Sequence, residues 1–185
     1  MAGHRFASAC AALALLFGAG AAAAQEDYGF MPEGGKALLL ELVGGDLDTL
    51  RGIAGQTRSE AEWREAILPM AEGVDERAVR TLAGYLALNM PVEPARLAEA
   101  ERTGDFAAAL PPDGRELAWY GCQSCHSLFA GYLTQDRDLQ GWRSMFLSPF
   151  HRELRMTETE RETFNSYSAI NMPMKVEDVP EELRF

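Results

Sequence analysis

Cysteine and histidine are scarce: each occurs three times in 185 residues. Cys10 and His4 lie within the first 24 residues, so the remainder carries only Cys122, Cys125, His126 and His151. A zinc site built on the two later cysteines needs two further thiolate or imidazole ligands, and the only histidine outside their motif is His151. No Ser/His/Asp set can be assembled from two histidines when one of them belongs to a cysteine motif. Strand-like alternation of any length is missing, which leaves a dithiol oxidoreductase without its usual βαβ setting. A phosphate-binding glycine loop is missing as well. No later stretch approaches the ~18 consecutive apolar residues of a membrane span. Paired acids such as Glu181-Glu182 lie in a polar tail, where they solvate the chain.

What the chain does contain is Gly121-Cys122-Gln123-Ser124-Cys125-His126. Cys-x-x-Cys-His is the attachment signature of c-type haem. Two thiols one helical turn apart can reach the two vinyl groups of one porphyrin, and the following histidine is placed under the iron as its proximal ligand. One covalent haem c is therefore the expected cofactor, with Cys122 and Cys125 as its thioethers and His126 as an iron ligand.

The first 24 residues read as a secretory signal peptide. His4 and Arg5 make a basic start, Ala11 to Gly20 is apolar, and Ala22-Ala23-Ala24 offers a cleavage site before Gln25. Cys10 precedes the apolar run and is not a lipidation site. Haem c is attached after export, so the expected address is the periplasm. Cleavage leaves 16 basic and 28 acidic side chains, a net charge near −12. That balance argues against nucleic acid and anionic membranes, and it points to redox partners with a basic docking face.

The text also repeats. Displaced by 79, Gly52, Gln56, Arg58, Trp63 and Arg64 meet Gly131, Gln135, Arg137, Trp142 and Arg143. Displaced by 82, Tyr85, Ala87, Asn89, Met90 and Pro91 meet Tyr167, Ala169, Asn171, Met172 and Pro173. Two tandem units of about 80 residues, with a three-residue insertion in the second, account for both offsets. At the haem positions the first unit reads Val43, Asp46 and Leu47, so it cannot attach haem. Its apolar run Ala37 to Leu40, with Leu42, Val43, Leu47 and Leu50, is available to fill the porphyrin's place.

Both units read as helical. Expected helices run over 114–125, 139–147 and 157–170, with counterparts over 34–42, 60–68 and 75–88. Thr157 and Glu160 form a capping box before the last of them. Gly114, Ala118 and Gly121 make a small-residue stripe on which the last helix, through Phe164 and Tyr167, could cross closely. Pro91 to Pro112 reads as a linker, with room for a short helix at 95–102. The expected organisation is a signal peptide at 1–24, a haem-less unit at 25–92, a linker at 93–111 and a haem-binding unit at 112–185, all-α throughout.

From Gly114-Arg115-Glu116-Leu117-Ala118-Trp119-Tyr120 through the Cys-x-x-Cys-His motif to the helix ending near Tyr167, the second unit resembles a class I cytochrome c domain. The likeness covers 112–175, and reaches 32–92 only through the repeat. It implies a fold in which first and last helices cross while a loop between them presents an axial Met or His. Asn-Met-Pro-Met at 171–174 looks like such a ligand context. However, Asn-Met-Pro recurs at 89–91 in the haem-less unit, and it follows the last helix instead of preceding it. The loop 148–156 holds His151, 16 residues before Tyr167, and Met156, 11 before it. His151 is the favoured sixth ligand, Met156 the alternative and Met145 an outsider. Trp142, Phe146 and Phe150 are expected to wall the haem. The resemblance implies a non-enzymatic carrier of single electrons, or the carrier subunit of a dehydrogenase complex. The other reading is a haem enzyme or ligand-binding sensor with a labile sixth position.

Overall fold

A computed structural model describes residues 28–185 except Glu72 and Ser124. The segment read as a signal peptide lies outside the described residues. Among those described there is no strand, and no helix is long and apolar enough to cross a membrane. Ten α-helices are described: α1 Gly35–Val43, α2 Leu47–Ala54, α3 Glu60–Ile67, α4 Glu76–Asn89, α5 Pro94–Thr103, α6 Phe106–Ala109, α7 Gly114–Cys122, α8 Leu139–Met145, α9 Pro149–Arg152 and α10 Glu158–Asn171.

The two offsets of the sequence reappear in the helix boundaries. Helices α1 and α7 coincide at an offset of 79, and α4 and α10 at 82. Both α3 and α10 open on capping boxes, Ser59 with Glu62 and Thr157 with Glu160, each satisfying two otherwise orphaned backbone N–H groups. Both α4 and α10 end at a Met followed by a cis Met–Pro bond.

Two hydrophobic cores form, one on Leu39, Leu50, Trp63, Ile67, Leu82 and Leu86, the other on Leu117, Tyr132, Leu133, Trp142 and Phe164. Helix α4 lies against α10, and the contacts there are reciprocal. Asn89 Nδ2 donates to Thr163 Oγ1 at 2.9 Å, and Asn171 Nδ2 donates to Thr81 Oγ1 at 3.0 Å. Each asparagine is thus satisfied from the opposite half, and all four side chains are buried. The tyrosines follow the same rule: Tyr85 donates to Pro111 O at 2.8 Å and Tyr167 to Pro32 O at 2.6 Å. An approximate two-fold axis therefore relates the halves, as in an isologous dimer interface.

The segments before α1 and α7 exchange sides. Met31 is buried in the second core, and Leu110, its repeat equivalent, in the first. Lys36 at the start of α1 pairs with Glu116 of α7. Arg115 pairs with Glu33 at 2.6 Å and lies over the Tyr28 ring. Glycine is required at both crossings: a Cβ at Gly35 would fall inside the Tyr85 side chain, and one at Gly114 inside that of Tyr167.

Several expectations need revision. Helix α7 stops at Cys122, short of Cys125, at the same repeat position where α1 stops at Val43. The linker region is largely helical, because α5 and α6 occupy it and Val92, Leu97 and Phe106 pack on the first core. Val43 and Leu50 do fill the first unit's interior, but Leu47 is 40% exposed at the start of α2. Asp46, standing where the second unit has Cys125, caps α2 by accepting from Asp48 N and Thr49 N. Of the small-residue stripe, Gly114 meets the last helix, whereas Gly121 meets Met156.

Candidate functional site

The end of α7, the π-helical turn Phe129–Leu133, the end of α8 and the α9 loop enclose a cleft of about 440 Å³. Its walls include Cys122, Cys125, His126, Gly131, Tyr132, Met145, Phe150 and His151. The two cysteines and both histidines that follow residue 24 therefore meet in one place, although His151 is remote in sequence.

The histidine rings meet in an edge contact, their centres 6.2 Å apart and their planes at 87°. His151 sits in the first turn of α9, which Pro149 opens and Ser148 caps. Ser148 Oγ contacts His151 Nδ1 at 3.1 Å, which engages one ring nitrogen and leaves Nε2 as the other. His126 is exposed, with Nδ1 3.1 Å from Ser127 O. Gly131 is needed beside it, because a Cβ there would fall within the His126 ring. The first unit has Gly52 at that position, with open space where a Cβ would point.

The other candidates lie elsewhere. Met156 packs on Gly121 and lines a neighbouring cavity with Lys36, Glu116 and Tyr120, not the cleft of the histidines. Met172 is buried behind α10, and Met174 donates its backbone N–H to Leu133 O at 2.8 Å; neither lines the cleft. Met145 does line it. Of the three aromatics expected as walls, only Phe150 lines the cleft, at 88% exposure. Trp142 and Phe146 belong to the core behind it, where Trp142 stacks with Tyr132 and Phe164. Tyr132 is the wall the sequence reading missed; its hydroxyl meets Ser168 Oγ at 3.0 Å, and burial pushes its phenol well above the usual range. An apolar residue at the same repeat position, Ile53, marked it as inward-facing.

Two observations bear on which chemistry the cleft can host. The indole N–H of Trp142 is buried without a partner, but so is that of Trp63, so this orphan belongs to the shared architecture. Burial pushes the Cys122 thiol up to about 12. It is a neutral thiol at pH 7. Among the described residues no three His, Cys, Asp or Glu side chains are grouped to hold a metal ion. A porphyrin supplies four nitrogens itself and asks the protein only for axial ligands. The donor set of the cleft, two thiols and two imidazoles within mostly apolar walls, fits that group.

The thiol also sets a pH dependence. Its folded-state value lies above the ordinary 9.0, so between pH 9 and about 12 the unfolded chain releases a proton that the folded chain keeps. The thiol form should lose stability on the order of a few kcal/mol across that window, whereas a chain whose Cys122 is a thioether should lack this component. Urea midpoints of the two forms, measured from pH 8 to 12, check it. Parallel curves for both forms would contradict it.

No protein-family model, no curated protein and no solved structure matches the chain.

Proposed function

We propose that this chain is an exported monohaem c-type cytochrome of two tandem cytochrome c-like units, of which only the second binds haem. It passes single electrons between redox proteins and has no catalytic side chains. The observation that carries this reading is the convergence of Cys122, Cys125, His126 and His151 on one cleft, with the imidazoles 6.2 Å apart. When bound, the haem supplies a one-electron couple. Cys122 and Cys125 would tether it through thioethers, and His126 and His151 would hold its iron.

Each remaining feature has a part in that task. Gly131 gives the His126 ring its space, and Ser148 engages Nδ1 of His151 so that Nε2 is the nitrogen available to a metal. Tyr132, Met145 and Leu154 keep water from the cleft, and a drier site strengthens every interaction inside it. A His/His pair favours a lower potential than His/Met ligation. Acidic side chains dominate the exported chain, which suits a partner with a basic face and salt-sensitive association. The first unit supplies α4, against which α10 is fixed.

The visible spectrum of the exported holoprotein tests the reading. It should be low-spin in both oxidation states, and His151→Ala should convert the ferric form to high-spin while Met156→Ala leaves it low-spin. A wild-type protein that is already high-spin and takes up carbon monoxide quickly would instead be a haem enzyme or sensor. A spectrum unmoved by both substitutions would return Met145 or the Met172 and Met174 pair as ligand candidates.

A further inference from the structure

We infer that Arg161 is the positioning residue for the sixth ligand: its guanidinium holds the loop that carries His151 against α10. The inference rests on the proposed reading of His151, although the clamp itself does not.

The loop from Leu147 to Met156 lies on the surface, with Leu147, Pro149, Phe150, Arg152, Glu153 and Arg155 exposed. Its only helical piece is the four-residue α9, and a helix that short has little stability of its own in water. Something outside the loop must hold His151 in place. Arg161, half-buried in the first turn of α10, donates to three alternate backbone carbonyls of the loop. Nη2 reaches Arg152 O at 2.9 Å and Leu154 O at 3.2 Å, and Nε reaches Met156 O at 3.3 Å. The same guanidinium lies 5.0 Å from the centre of the Phe146 ring, on the N-terminal side of the loop. One planar cation thus ties both ends of the His151 segment together, a task for which the rigid five-donor fork of arginine is suited and a lysine is not.

The internal repeat isolates the role. At the position of Arg161 the first unit has Val79, buried at 4% exposure in an ordinary apolar core. The first unit has no histidine there and lacks the three extra residues of the longer loop. Arginine appears in the copy that must aim a side chain. Arg143 provides the control, since it pairs with Glu162 at 2.6 Å, one residue further along α10, without touching the loop.

The test uses the full holoprotein with Arg161→Ala, Arg161→Lys, Arg161→Gln and Arg143→Ala, read in two ways. Trypsin cleavage after Arg152 and Arg155 reports loop opening, and cyanide uptake by the ferric haem reports release of the sixth ligand. Losing charge-assisted hydrogen bonds should speed both by about tenfold or more in Arg161→Ala. Lys and Gln, which keep the packing stem over Phe146 and one donor group, should fall between it and wild type, with covalent haem retained throughout. Arg143→Ala should match wild type in both. If Arg161→Ala matches Arg143→Ala in both rates, the inference is overturned. If the loop opens but cyanide uptake does not change, the positioning role is overturned; a low-spin spectrum that also survives His151→Ala would show that the ligand reading is what failed. A closed loop with a spectrum that depends on His151 would remove the clamp and keep the ligand.

Discussion

Replacing Cys122 and Cys125 together with serine should abolish covalent haem: a denaturing gel stained for haem goes blank, and acid acetone extracts all the porphyrin. The expectation follows from two thiols at one end of a single cleft, with His126 directly after the second. Each sulfur–carbon bond forms by addition of a thiol across one vinyl group, so each cysteine can contribute one bond and no other side chain can replace it. The single variants should differ. Cys122 closes α7 and is half-buried, whereas Cys125 is exposed beyond the helix end. Cys122→Ser, which places a hydroxyl in the apolar wall, should cost the more stability, about 1–3 kcal/mol beyond the lost bond. Both single variants should retain one thioether and a shifted visible band. Stained haem persisting in the double serine variant would overturn the assignment of Cys122 and Cys125 as its tethers.

The second large effect lies at the helix crossings. Gly114→Val should destabilise the chain by roughly 3 kcal/mol or more, because its side chain has no free volume to enter. The Tyr167 side chain occupies the space, and Thr163 O lies 3.0 Å from where even a Cβ would sit. Backbone cannot give way as a flexible side chain would, so α7 must lift off α10. Gly35→Val should cost a similar amount, since Tyr85 closes the same space. For a chain of this size that is a fall of about 10 °C in melting temperature. The two variants should part company at the site: α7 carries Cys122, so only Gly114→Val should disturb the haem spectrum. Thermal melts and spectra of the pair check both halves of the statement. Wild-type melting in either variant would mean that the crossing is looser than the contacts describe.

The sequence was most informative wherever a residue had a local job. Capping boxes, paired offsets and prolines placed the major helices within a few residues, because their signals sit beside the elements they start or stop. Cys122, Cys125 and His126 were legible as a motif, and the place of His151 in one cleft with them follows the loop in which the spacing put it. Less legible was everything decided across the molecule. Leu110 reads as a linker residue and Met31 as the lead-in to the first unit's own helix, and only the exchange between halves explains why they are buried. Trp142 reads as a cofactor wall by proximity in sequence, but stacking with Tyr132 and Phe164 turns it into the core behind the cleft. The α7 boundary is not legible because no stop signal stands between Cys122, where the helix ends, and Cys125. Arg161 carried no sequence signal at all, since its acceptors are backbone carbonyls.

The exchanged segments change what counts as a separable piece. Residues 28–33 lead into α1 of the first unit but serve the second: Met31 fills its core, Glu33 pairs with Arg115, and Pro32 accepts from Tyr167. Residues 110 and 111 complete the first unit in return. A fragment cut at the linker would therefore leave each half with a missing strip of its neighbour, and its exposed core would seek that strip on another molecule. Conversely, a chain nicked between α5 and α6 would stay assembled, because the peptide bond there holds nothing that the exchanged segments and the α4–α10 contact do not already hold. In this protein covalent connectivity and structural membership run along different boundaries.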